Sequence, residues 1–231
     1  MKRSDIKLNI KNILMDVDGT MTKAKENKSA AQSSPLEILI DLLAEKRSIS
    51  RETALKLINE TGDIALTCLF DFLDKLEVSK EAYWNFMKND LENIISIPED
   101  TVYFMKDLKS KGIKLFSATT NSQMMTLLKL AIGGLATIDG SPYMTGFFSG
   151  NSFNDLEGKF SENFFPSIMK YGKFDPVTTM MIGDEIERDL NPALKAGIKN
   201  VVIIDRKQSE PIIYKNEAIF VNSLRIVSGI L

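Results

Sequence analysis

NILMDVDGT, residues 12–20, is an apolar run that ends abruptly in two carboxylates two positions apart and then a glycine. It reads as a buried strand delivering Asp16 and Asp18 to a turn. Residues two apart on a strand share a face, so the two acids converge on one point. Convergence of like charges costs free energy unless a cation or a shared proton relieves it, and either remedy implies a site. Taken alone, two acids before a Gly turn also suit a calcium loop or an ordinary helix cap.

Further strand-like runs follow at 113–120 (IKLFSATT), more weakly at 143–149, then at 178–184 (TTMMIGD), 200–206 (NVVIIDR) and 217–223 (EAIFVNS). Helical patterns lie between several of them, at 100–112, 162–172 and 187–197, with Gly112, Gly172 and Gly197 as stop signals. Strands alternating with helices predict an α/β fold, a doubly wound parallel sheet with helices on both faces. Ligands in such folds bind beyond the carboxyl ends of the strands, where Asp16, Thr120 and Asp184 all fall.

Almost a hundred residues separate the first run from the second, where a crossover needs only a dozen plus its helix. Residues 23–96 therefore read as an insertion, and 1–22 with 97–231 as the main domain. After the polar stretch 23–34, expected to be a hinge, segments 35–46, 50–62, 63–76 and 79–95 carry helical periodicity with Ser or Asp caps, so the insertion is expected to be a small helical bundle. Ile97-Pro98 marks the return, because the residue before a proline is pushed out of helix and proline suits a helix start. Tyr83, Trp84, Phe70, Phe72 and Phe86 fall at helical spacing, a pattern that belongs to a core before it belongs to a ligand site.

The 231 residues hold 29 Lys and Arg against 31 Asp and Glu, with the basic residues scattered. That distribution lacks the electrostatic footprint of a nucleic-acid binder. The single Cys68 excludes an internal disulfide and sits in an apolar helical setting as a small filler. The charged N-terminus has no signal-like apolar core, and no stretch approaches the roughly 20 apolar residues of a membrane helix, so a cytoplasmic chain without membrane partners is expected. There is no histidine. Acid and base work must fall to carboxylates, and a bound divalent ion would have oxygen ligands, which favours magnesium over zinc or copper.

Four elements stand together in order: Asp16 and Asp18 with Gly19-Thr20; Thr120 with Asn121 and Ser122; a lysine; and Gly183-Asp184 with Asp189. Of two lysines that follow a glycine, Lys159 lies 25 residues before Asp184, room for a helix and its loop, whereas Lys173 at 11 residues falls after that helix. ATTNS, 118–122, reads equally as a helix cap or a phosphate cradle of hydroxyl and backbone amides, with Thr119 as a competing hydroxyl.

This combination resembles the haloacid dehalogenase superfamily of phosphotransferases, in the phosphoglycolate phosphatase and β-phosphoglucomutase branch with a helical cap inserted after the first strand. The resemblance covers the main domain nearly end to end. It implies Asp16 as nucleophile forming an aspartyl-phosphate and Asp18 as general acid and then base. It implies Mg2+ held by the Asp16 carboxylate, the Asp18 carbonyl and Asp184; Thr120 and Asn121 on the phosphate; and Lys159 on both Asp16 and the phosphate. Thr120 is favoured over Thr119 because family members place the hydroxyl directly before Asn. Asp189 would orient Lys159 or a metal-bound water, though an acid in a helix's first turn explains it nearly as well. Phe160 stands where the family commonly has proline. The implied activity is hydrolysis of a small phosphomonoester; phosphomutase chemistry and a non-catalytic binding protein are the alternatives.

Overall fold

The computed structural model describes residues 7–26, 34–62, 69–150, 152–153 and 157–231. Cys68 and most of the stretch 23–34 lie outside them, as does the side chain of Phe70. In β1 (Asn12–Met15) every residue after the first is fully buried, as a central parallel strand requires. Ile13 and Met15 enter the apolar core on one face of the sheet and Leu14 the core on the other. The strand is shorter than the apolar run because the backbone turns at Val17–Met21.

After the turn come β2 (Lys23–Ala24), helices α1 (Pro35–Arg47), α2 (Arg51–Thr61), α3 (Leu69–Lys75) and α4 (Lys80–Ile94), and then β3 (Ile95–Ser96). Ser34, Ser50 and Ser79 cap α1, α2 and α4, each side chain accepting a first-turn amide. Strands β2 and β3 pair antiparallel, and the Lys25 amide donates to the Ile94 carbonyl at 2.8 Å. Entry to and exit from the helical insertion are thereby tied together by a ladder too short for sequence alternation to reveal.

The chain continues through α5 (Glu99–Ser110), β4 (Lys114–Ala118), α6 (Gln123–Ile132), β5 (Gly146–Phe148), α7 (Phe164–Gly172), β6 (Thr179–Gly183), the single turn α8 (Asn191–Lys195), β7 (Asn200–Ile204), β8 (Ile212–Lys215), β9 (Ala218–Val221) and α9 (Leu224–Ile230). The helical pattern at 187–197 is realised only in part, because Pro192 confines regular helix to the segment that begins beside it. The sheet order is β5-β4-β1-β6-β7-β9-β8, parallel throughout except for the β8–β9 hairpin at one edge. Helices α5 and α9 cover one face, through Phe104, Met105, Leu108, Leu224 and Val227. Helices α7 and α8 cover the other, through Phe164, Phe165, Ile168 and Ala193. The fold is the doubly wound α/β class.

The insertion has its own core, in which Leu39, Leu43, Phe72, Tyr83, Met87 and Leu91 are buried. Tyr83 and Trp84 belong to it, whereas Phe86 points to solvent. Met124, Leu127 and Leu128 of α6 complete the same core. Helix α6 therefore serves both bodies, since Leu130 on its other side lies in the core of the sheet. No helix among the described residues is long and apolar enough to cross a membrane.

Candidate active site

The carboxyl ends of β1, β4 and β6 meet at one edge, and Asp16 closes the first of them. Its amide donates to the Ile182 carbonyl of β6 at 2.9 Å, which fixes the residue beside that strand. Its carboxylate is buried, and Lys159 Nζ stands 2.7 Å from Asp16 Oδ1 and 2.6 Å from Asp189 Oδ1. Lys159 arrives on the short helical turn Gly158–Phe160, itself seated against another loop. A Cβ on Gly158 would lie 2.7 Å from the Gly150 Cα, and Gly158 also takes φ +54°, so only glycine allows this approach.

Asp184 and Asp189 are set by the geometry after β6. Asp189 is fully buried, and its Oδ2 accepts from the amides of Asp184 at 3.1 Å and Glu185 at 3.0 Å. Those two bonds pin the strand end to the following turn. Asp184 Oδ1 accepts from the Thr20 hydroxyl at 2.9 Å. Gly19, at φ +80°, lies so close that a Cβ there would fall 2.1 Å from Asp184 Oδ2. The Asp-Gly-Thr sequence is thus explained locally: glycine makes the left-handed turn and the close approach, and threonine orients the acid beyond it.

Asp16, Asp184 and Asp189 each bring a carboxylate oxygen within 4.8 Å of the others. Among the described residues one lysine, Lys159, pairs with this group of acids, and the balance shows in the protonation of Asp16 and Asp184. Burial pushes the Asp16 carboxyl up to about 7, Lys159 opposing and Asp189 adding to the rise. Burial also raises Asp184. Lys159 is raised as well, since the attraction of Asp16 and Asp189 outweighs its desolvation. The site carries negative charge that its own lysine does not relieve, and every donor is a hard oxygen. This donor set fits a magnesium ion.

Asp18 faces a different partner. Lys129 Nζ lies 2.7 Å from both its oxygens, and Asn121 Nδ2 donates to Oδ2 at 2.8 Å. Lys129 also donates to Asn121 Oδ1 at 2.8 Å, closing a triangle of Asp18, Lys129 and Asn121. Burial acts to raise the Asp18 carboxyl, but Lys129 and Asn121 prevail and hold it below the usual carboxylate range.

The expected residues thus divide by place. Asp16, Lys159, Asp184 and Asp189 are brought together; the expected convergence of Asp16 and Asp18 is not realised, because the strand ends at Met15 and the backbone turns at Val17, so the Asp18 side chain goes to Lys129, outside the acid cluster. Asn121 is engaged through its side chain, and its amide donates to Thr119 Oγ1 at 3.3 Å. Thr119 is buried; Thr120 is exposed just beyond β4. Lys173 is an exposed cap of α7 with φ 50°. Glu187 and Arg188 face solvent, with the Arg188 guanidinium 4.8 Å from the Phe160 ring. Met124 and Met125 pack with the insertion.

Two residues at this edge escape a motif-led reading. Lys129 shows in the sequence only as a lone charge inside the apolar run MMTLLKLAI. Arg206, just past β7, donates through Nη1 to the Gly19 carbonyl and through Nη2 to the Thr20 carbonyl, each at 2.9 Å.

A sequence profile of the haloacid dehalogenase-like hydrolases matches residues 13–203. No curated protein matches the chain. Among solved structures, a haloacid dehalogenase-type phosphatase from Thermococcus onnurineus is similar at 20% identity and TM-score 0.54, with 94% of this chain and 96% of that one covered. A protein of Bacillus subtilis assigned to the same hydrolases and bound to magnesium is similar at 15% identity and TM-score 0.54, over 96% and 99%. A dehalogenase solved with its intermediate is similar at 16% identity and TM-score 0.57, over 98% and 99%. These structures share the fold. With the profile spanning β1 to β7 and so the strand ends that carry Asp16 and Asp184, the chain belongs to the haloacid dehalogenase-like hydrolases.

Proposed function

We propose that this hydrolase cleaves a small phosphomonoester with magnesium, by way of an aspartyl-phosphate on Asp16. The observation that carries the reading is the buried Asp16 carboxylate held 2.7 Å from Lys159 within a cluster of three acids. An Asp16 oxygen forms the new bond to phosphorus as the bond to the leaving oxygen breaks. Lys159, already anchored on Asp189, neutralises charge on Asp16 and on the transferring phosphoryl group. The Thr120 hydroxyl holds a phosphoryl oxygen, and the Asn121 amide holds another by exchanging its 3.3 Å bond to Thr119 Oγ1 for the phosphoryl group. Asp16, Asp184 and the Asp18 carbonyl would hold the magnesium ion, which when bound supplies charge neutralisation for phosphoryl transfer.

Asp18 gives a proton to the leaving oxygen, then takes one from the water that attacks phosphorus and releases phosphate from Asp16. Its pairing with Lys129 favours the ionised form, the one required in the second half of the cycle. An acid at this position supports phosphoester over carbon–halogen substrates, because only the former needs a proton placed on an oxygen leaving group. Helical insertion and sheet share α6, and closure between them would exclude bulk water.

The test is phosphate release from a panel of sugar phosphates, phosphoglycolate, nucleoside monophosphates and an aryl phosphate, with and without magnesium. Asp16→Asn is the control. Magnesium-dependent release abolished in the variant supports the reading. Release that persists in the variant, or isomerised substrate without release, overturns it.

A further inference from the structure

Gly19 and Thr20 hold Asp184 on one side of their loop, and Arg206 holds the same two residues on the other. Its guanidinium reaches both consecutive carbonyls at 2.9 Å, one from each terminal nitrogen, in the fixed geometry of a planar fork. The fork is anchored behind: Nη2 lies 3.3 Å from Asp100 Oδ1 and 3.4 Å from the Thr101 hydroxyl. Asp100 in turn accepts from the Leu224 amide at 2.9 Å and the Ser223 hydroxyl at 3.2 Å, the start of α9. Arg206 and Asp100 are mostly buried, their side chains 19% and 13% exposed. The turn at Val17–Met21 is therefore tied through one arginine to the first turns of α5 and α9, the helices that cover one face of the sheet.

From this linkage we infer that Arg206 is a positioning residue for the metal site: it fixes the loop from which Thr20 and Gly19 aim Asp184. The inference rests on the magnesium site proposed above. Arg206 makes its polar contacts with Gly19, Thr20, Asp100 and Thr101, not with Asp16 or Asp184, and supplies no ligand. Its effect passes through two carbonyls to the Thr20 hydroxyl, which donates to Asp184 Oδ1 at 2.9 Å. Groups that orient a metal ligand from behind change affinity about 10–100-fold when removed.

Two variants and two readouts test this. Arg206→Met keeps the stem and loses the fork; Arg206→Lys keeps the charge and loses the rigid planar geometry. Amide exchange of residues 17–21 is followed in protein free of metal and substrate, and magnesium affinity by calorimetry without substrate. Arg206→Met is expected to exchange at least tenfold faster in this turn, with β4 and β6 unchanged, and to bind magnesium about 10–100-fold more weakly. Arg206→Lys should recover little of either, and it serves alone if the methionine variant does not fold. Unchanged exchange in the turn overturns the linkage. Faster exchange with unchanged magnesium affinity overturns its reach to the metal. A uniform loss of protection reduces Arg206 to a structural tie and also overturns the inference. If the unaltered protein binds no magnesium, the proposed function fails, while the exchange measurement still decides whether Arg206 holds the turn.

Discussion

Lys129 Nζ sits 2.7 Å from both carboxylate oxygens of Asp18, so an acid that begins its turn as a free group on paper is in fact bidentately paired. The lysine side chain is 10% exposed, and it reaches from α6, the helix shared by the insertion and the sheet. A buried ammonium at that position is tolerable only with such a partner.

The pairing predicts a pH effect. Lys129 is the strongest influence lowering the Asp18 carboxyl, so Lys129→Met should let it rise. With an aryl phosphate the leaving group needs no proton, and turnover then depends on Asp18 as base, which must be ionised. The acid limb of the kcat profile should therefore move to higher pH in Lys129→Met. The profile between pH 4 and 8 is the measurement; an unmoved limb would show that Asp18 is not the titrating base.

Asp16 predicts the opposite kind of linkage. Its folded carboxyl is raised from 3.8 to about 7, so both states are protonated below pH 4 and the penalty is absent there. Between pH 4 and 7 the unfolded chain ionises first, and metal-free stability should fall as pH rises, by a few kcal/mol at most. Asp16→Asn should flatten that fall and raise the metal-free Tm near pH 8 by roughly 3–10 °C. Magnesium should stabilise the unaltered protein increasingly as pH rises through about 7, where the ionised carboxylate becomes available to it. Melting curves from pH 4 to 9, with and without magnesium, check this; a flat metal-free curve would remove the strained carboxylate from the account.

Lys159 holds two buried acids at once, and its removal leaves both without their cation. Breaking a buried pair costs about 3–5 kcal/mol. Lys159→Met should therefore melt roughly 6–20 °C lower as well as lose turnover. Adding Asp16→Asn to it should recover part of the Tm and none of the activity. Failure of the second change to stabilise would mean that the two side chains do not share this contact in solution.

The fold was legible because its strongest signals are local. NILM and TMMIG are apolar runs of strand length, each followed directly by an acid that an apolar setting would not otherwise tolerate. Spacing singled out Lys159, and the structure sets it against Asp16, while Lys173 caps a helix elsewhere. What escaped depends on partners distant in sequence. Lys129 and Asp18 are 111 residues apart, and Arg206 meets Gly19 across 187. Nothing near either cation announces its partner. The β8–β9 hairpin was hidden for a different reason: its turn residues Asn216 and Glu217 both take positive φ without a glycine to signal it. The two-residue strands β2 and β3 are too short for any periodicity.

Gly183 offers the sharpest steric prediction. A Cβ placed there would lie 2.1 Å from the Asp189 Cγ and 2.4 Å from its Cβ, and Asp189 is fully buried. Gly183→Ala should therefore displace the carboxylate that receives the Asp184 and Glu185 amides and anchors Lys159. Overpacking of this kind costs about 1–3 kcal/mol, a fall of roughly 2–12 °C in Tm. Activity should suffer far more than stability, by about 100-fold or more, because Lys159 and Asp184 are both re-aimed by the same shift. Gly229→Ala is the internal control: nothing beyond its chain neighbours and its own helix backbone lies within 4 Å of the methyl group that alanine would add at this position of α9, and the change should leave turnover unchanged and raise Tm slightly. Parallel melting curves and initial rates for the two variants decide the matter. Equal behaviour of the two alanines would mean that Asp189 is not packed against Gly183, and the anchoring of Lys159 would have to be sought elsewhere.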